Sequence, residues 1–79
     1  MVTLDQLRPG QSGRVVRVDA SPAMAQRLAE MGLLEGTTLK LVRTAPLGDP
    51  LEIELEGWFL SIRKADARGV HLGELLGGS

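Results

Sequence analysis

Leu51, Ile53 and Leu55 alternate strictly with Glu52, Glu54 and Glu56, and this six-residue run constrains the chain more than any other. A period of two belongs to a β-strand with one buried and one wet face. Gly57 follows, and then Trp58-Phe59-Leu60-Ser61-Ile62, which places Trp58, Leu60 and Ile62 on one parity and Phe59 and Ser61 on the other. The two runs predict an antiparallel hairpin with a greasy face and an acidic face. Two registers keep apolar opposite apolar. A turn at Gly57-Trp58 pairs Leu55 with Leu60, Ile53 with Ile62 and Glu52 with Arg63, and leaves Trp58 at the tip. A turn at Glu56-Gly57 pairs Leu55 with Trp58 and Ile53 with Leu60, and puts Trp58 in the core. A one-residue slip would set leucines opposite acids and is excluded. Glycine at the first turn position suits a type II′ turn, which favours the first register.

The rest of the chain supplies partners for that face. Thr3-Leu4-Asp5-Gln6 has capping-box spacing and predicts one helical turn, stopped by Pro9-Gly10. Arg14 to Val18 is rich in β-branched residues and predicts a strand. Ser21-Pro22 opens a helix over about residues 22–31, with Met24, Leu28 and Met31 in one apolar stripe beside Ala25 and Ala29, and Gly32 as its stop. Leu33-Leu34-Glu35-Gly36 is a connection and Thr38 to Thr44 a further strand. Ala45 to Pro50, with Gly48, Asp49 and two prolines, is a loop. Lys64 to Gly69 is a turn or a single helical turn, Val70 to Leu72 a last short strand, and 73–79 a frayed tail. The expected fold is mainly β: a small five-stranded barrel with the helix inserted between its first two strands and plugging one end.

Size and composition narrow the function. Seventy-nine residues make one domain, 1–79, with a thin stability margin. The chain has no cysteine, so disulfides, thiol chemistry and cysteine-based zinc sites are excluded. A net charge of −1 and 3 % aromatic content argue against a nucleic-acid partner, which would need basic excess or stacking rings. No apolar run approaches the ~20 residues of a membrane span, and the start Met1-Val2-Thr3-Leu4-Asp5 lacks the pattern of a secretion signal. A cytoplasmic location without membrane insertion is expected. Nothing resembles a nucleophile, base and orienting group, so the reading is not an enzyme.

The ordered set Leu28-Ala29-Glu30-Met31-Gly32-Leu33, Gly36, Ala45-Pro46-Leu47-Gly48-Asp49-Pro50, Gly57 and Leu60-Ser61-Ile62-Arg63 resembles the FeoA family (ferrous iron transport protein A). The opening Leu4-Asp5-Gln6-Leu7 with Gly10 and Gly13 also fits, so the likeness spans nearly the whole chain. Two departures stand out. Lys64-Ala65-Asp66-Ala67 takes the place of the family's usual Glu-Ala, and Trp58 that of a tyrosine or polar residue. The resemblance implies an SH3-like barrel and an accessory role in bacterial ferrous iron uptake. It implies as partner the membrane transporter of that system, ferrous iron transport protein B, through its cytoplasmic part. The same barrel resembles the C-terminal domain of iron-dependent repressors, and a stand-alone metal-responsive regulatory domain is the alternative. Homo-oligomers are left open.

Several residues invite a role. Phe59 stands on the polar parity; with Trp58, and with Pro46 and Leu47 from the preceding loop, it forms a candidate apolar patch for protein contact. The alternative is that Phe59 covers the barrel's open end. Gly32, Gly36, Gly48, Asp49, Pro50 and Gly57 are read as structural. His71, Glu74 and Asp66 are the metal candidates, but one histidine and scattered carboxylates do not supply three convergent ligands, and no resident metal site or cofactor is expected. His71 is expected to face solvent from an edge strand, with a transition metal such as Fe2+ or Zn2+ bridging two copies as the one alternative. The stripe Glu52, Glu54 and Glu56 is either a docking strip for a basic partner or the wet face of a strand, with Glu52 paired to Arg63 across the hairpin.

Overall fold

The computed structural model describes residues 2–76. Six strands form one antiparallel sheet: β1 (Val2–Thr3), β2 (Ser12–Val18), β3 (Thr38–Thr44), β4 (Leu51–Leu55), β5 (Trp58–Ile62) and β6 (Val70–Leu76). Their order is β1-β6-β2-β3-β4-β5. Helix α1 (Pro22–Glu30) lies between β2 and β3, and α2 (Lys64–Ala67) between β5 and β6. A 3-10 turn covers Leu4–Gln6, where the Gln6 side chain accepts from the Thr3 amide at 3.0 Å.

The helix boundaries follow from their residues. Ser21 Oγ accepts from the Met24 amide at 3.2 Å and Pro22 takes the first helical position. At the other end Gly32 donates to Ala29 O and Leu33 to Leu28 O, the two bonds of a Schellman stop. Gly32 has φ +95°, and a Cβ there would sit 3.2 Å from the Trp58 ring.

Among the described residues the buried core is wholly apolar. Leu51, Ile53 and Leu55 project into it together with Leu39, Leu41, Val15, Val70 and Leu72 from the neighbouring strands. Leu28 enters from α1, and Met24 and Met31 pack at its margin. The strand alternation was thus a true report of burial: Glu52 and Glu54 are half-buried at the surface and Glu56 is exposed.

Several expectations are corrected. The described residues form six strands, because Val2–Thr3 pairs beside β6. Two residues are too few to show a period, so that strand leaves no signature in the sequence. Among the described residues no ladder joins β5 to β1, and the sheet curls without closing by backbone pairing. β6 continues to Leu76 where a frayed tail over 73–79 was expected, since Leu75 and Leu76 pair with Gly13 and Ser12; residues 77–79 lie outside the described ones. The hairpin turn is Glu56-Gly57, pairing Leu55 with Trp58 and Ile53 with Leu60. Both turn residues have positive φ, 39° and 96°, which makes a type I′ turn whose twist matches the strands. Register also reassigns Glu52. It lies opposite Ser61 and bonds Arg43 of β3 at 3.0 Å instead of Arg63. A bulge between Leu41 and Arg43 is what turns Arg43 out of the buried parity to meet it. The pair is exposed, so it contributes at most about 1 kcal/mol.

Candidate interaction surface

The four residues expected to share one patch are separated. Leu47 stands 96 % exposed in the β3–β4 loop with Pro46 beside it. That loop is at the base of the β4–β5 hairpin, and the Glu56-Gly57 turn is at its tip, about 13 Å away along β4. Asp49 fixes the base by accepting from the Lys64 amide at 3.0 Å, which ties the loop to the first turn of α2. Gly48 closes a turn there by donating to Ala45 O, and Gly36 donates to Val15 O beside β2.

At the tip, Trp58 and Phe59 are consecutive strand residues and so point to opposite faces. Phe59 lies opposite Glu54 on the outer face, 63 % exposed. Trp58 continues the core parity past the end of the core. It is 51 % exposed, so it is neither a free tip nor a core residue, and one edge of its ring lies over Gly32. Gly32 therefore serves twice: it lets the backbone turn left-handed out of α1 and leaves room for the indole.

The structure adds a residue that sequence reasoning passed over. Leu33 is buried and Leu34, next to it in the α1–β3 connection, is 47 % exposed. Leu34 and Trp58 line one hollow with Gly32, Thr37, Leu55 and Glu56. The available signal was the doublet itself: adjacent leucines in a short connection cannot both reach one core.

The FeoA domain family matches residues 2–72. The chain belongs to the FeoA family. A relative from Porphyromonas gingivalis (strain ATCC BAA-308 / W83), an Fe(2+) transport protein A/Fe(2+) transporter FeoB fusion protein, is 32 % identical over 69 residues, 87 % of this chain. The chain spans only 8 % of that fusion protein. The solution structure of FeoA from Chlorobium tepidum is 39 % identical with a TM-score of 0.86, covering 90 % of this chain and 68 % of that one. Stenotrophomonas maltophilia FeoA, solved as a zinc complex and described as a prokaryotic SH3 domain protein, is 28 % identical with a TM-score of 0.78, over 92 % and 91 % of the two chains. The mainly β, SH3-like fold expected from the sequence is therefore the fold of the FeoA family.

Within this FeoA-family domain the metal candidates go separate ways. His71 is not on an edge: β6 lies between β1 and β2, and His71 faces Thr3 on one side and Arg17 on the other. Its Nε2 is 2.9 Å from Asp19 Oδ2, and because a carboxylate only accepts, that nitrogen carries the proton. Arg17 donates to the same oxygen at 2.8 Å. Desolvation pushes the Asp19 carboxyl up, but the hydrogen bonds from His71 and Arg17 and their positive charge outweigh it and hold the group below its ordinary value. This trio contains a guanidinium, which donates and does not ligate cations. Asp66 lines a different hollow, between α1 and α2, with Arg27 and Arg63, and the Glu74 side chain lies outside the described ones. Among the described residues no three His, Asp or Glu side chains gather at metal-binding range. No helix of the described residues is long and apolar enough to cross a membrane.

Proposed function

We propose that this chain is a non-enzymatic cytoplasmic accessory of ferrous iron uptake that binds the membrane transporter FeoB and biases one of its conformations. The observation that carries this reading is the fusion relative, in which an FeoA-type segment and FeoB are one polypeptide. Fusion raises the effective concentration of one for the other to roughly millimolar, which matters only if the two touch. The exposed Trp58 supports it, since tryptophan is enriched among the residues that anchor interfaces, and Leu34 in the same hollow adds exposed apolar surface. The bias can be no larger than the module's differential affinity: binding one state about tenfold more tightly shifts the equilibrium by about 1.4 kcal/mol.

The test is co-purification of the tagged chain from membranes with and without FeoB, together with Fe2+ uptake in cells lacking the chain. Retention only where FeoB is present, and slowed uptake without the chain, are expected. A chain that washes through FeoB-containing membranes, with uptake unaltered by its loss, refutes the proposal.

A further inference from the structure

A second hollow adjoins the Trp58 hollow and shares Leu34 with it. It is lined by Val18, Ala25, Ala29 and Glu35 around Leu33. Leu34 is common to both, so the hollows flank it, one reaching to Trp58 and the other to the small residues of α1, and the pair is termed the groove. Ala25 and Ala29 stand four apart on one helix face, so a partner backbone can approach closely there.

The charges of the groove all have one sign. Glu35 and Glu56 are the charged side chains that line it, and both are exposed. The ion pairs among the described residues join Arg17 and His71 to Asp19, Arg43 to Glu52 and Arg68 to Asp5, so neither glutamate of the groove has a cation within 4.0 Å. The hollow between α1 and α2 differs, being lined by Arg27, Arg63 and Asp66, a mixed set that selects no sign.

We infer that the Trp58–Leu34–Ala29 groove docks a basic amphipathic helix of a partner protein. Apolar residues of that helix cover Leu34 and the two alanines. A Lys or Arg at its rim lies over the half-open face of Trp58, where cation–π attraction and Glu56 act together, and a second cation meets Glu35. Other occupants fit less well. Anionic lipid and nucleic acid meet like charge, and a second copy in a two-fold contact crowds the glutamates of both copies into one interface. The inference rests on the accessory role proposed above and names the surface and partner chemistry for it.

The experiment titrates the full chain with an amphipathic peptide of about 18 leucines and lysines, and separately with its leucine–glutamate counterpart. The readout is the emission of Trp58, the chain's only tryptophan. A saturable shift with the leucine–lysine peptide, weakened by salt, and none with the glutamate peptide are expected. Glu35→Lys combined with Glu56→Lys weakens binding at least about tenfold, as does Leu34→Asp, whereas Phe59→Ser on the other face leaves it unchanged. Circular dichroism checks that each variant is folded; the substituted side chains are all exposed or nearly half-exposed. Equal binding of both peptides, no change in emission, or an affinity untouched by the double charge reversal overturns the groove. Retention by FeoB that survives the charge reversal overturns the groove and leaves the accessory role standing. Peptide binding without retention by FeoB supports the groove and removes the transporter from the reading.

Discussion

Among the described residues, Glu56 is the one residue other than glycine with a positive φ, at 39°. A left-handed conformation costs an L-residue about 1–2 kcal/mol because Cβ crowds the carbonyl. Asn-Gly is the preferred central pair of a type I′ turn, since the short amide side chain tolerates that region. Glu56→Asn should recover part of the strain, about 0.5–1 kcal/mol. The Glu56 side chain is exposed and in none of the ion pairs, so its loss removes nothing comparable. For a domain of this size about 1 kcal/mol moves the melting temperature by 4–8 °C, and the expected rise is roughly 2–8 °C. Thermal unfolding followed by circular dichroism at neutral pH measures it, with denaturant titration to confirm that the slope is unchanged. Gly57→Ala, at φ 96°, should move the other way by about 1 kcal/mol or more. A melting temperature that stays level or falls in Glu56→Asn would refute the reasoning. Glu56 would then be an ordinary strand residue, where asparagine is a poor substitute, and the turn would sit at Gly57-Trp58.

Other substitutions test separate parts of the fold. A Cβ at Gly69 would lie 2.0 Å from the backbone oxygen of Asp19, which cannot swing aside, so Gly69→Ala should destabilise by about 1–3 kcal/mol or more in chemical denaturation. Phe59→Ser should cost under about 1 kcal/mol, because most of the ring is already in water; a loss approaching a core truncation would show that Phe59 is buried in solution. Asp19 has a lowered folded pKa, so its contribution is present above its unfolded value of 3.8 and is lost as pH falls through the lower folded value. Unfolding of Asp19→Asn should therefore differ from the parent chain at neutral pH and coincide with it near pH 2, and a gap that persists in acid would contradict the assignment.

What the sequence made legible was local. The Leu51–Glu56 alternation and the Ser21-Pro22 to Gly32 signals each act over a few residues, and the elements fall where those signals put them. What was missed depends on distance along the chain. His71 meets Asp19 across 52 residues, and no spacing rule reaches that far. The Arg43 bulge that captures Glu52 adds one residue to one strand, which a period of two cannot announce. The turn position is not legible because one glycine serves either primed turn: Gly57 can be the first central residue of a type II′ turn or the second of a type I′ turn, and the choice falls to I′ only because Glu56 accepts a positive φ. The expected patch separates for a related reason: Trp58 and Phe59 are neighbours in sequence, yet strand geometry sends neighbours apart, and Trp58 lines a hollow with Leu34 of the α1–β3 connection, 24 residues earlier in the chain.

The last strand is wedged between the first two. On a ribosome, the meander of β2 to β5 can zip up from neighbours as they emerge, each join closing a short or moderate loop. Val2 and Thr3, together with the inner side chains of Val15 and Leu4, wait for Val70 and Leu72 of the domain's last strand. That final closure carries the longest loop and the largest entropic cost. Pulse-labelled hydrogen exchange during refolding should accordingly protect β3 and β4 amides before those of β1 and β6, and simultaneous protection throughout would mean that the chain's two ends find each other first.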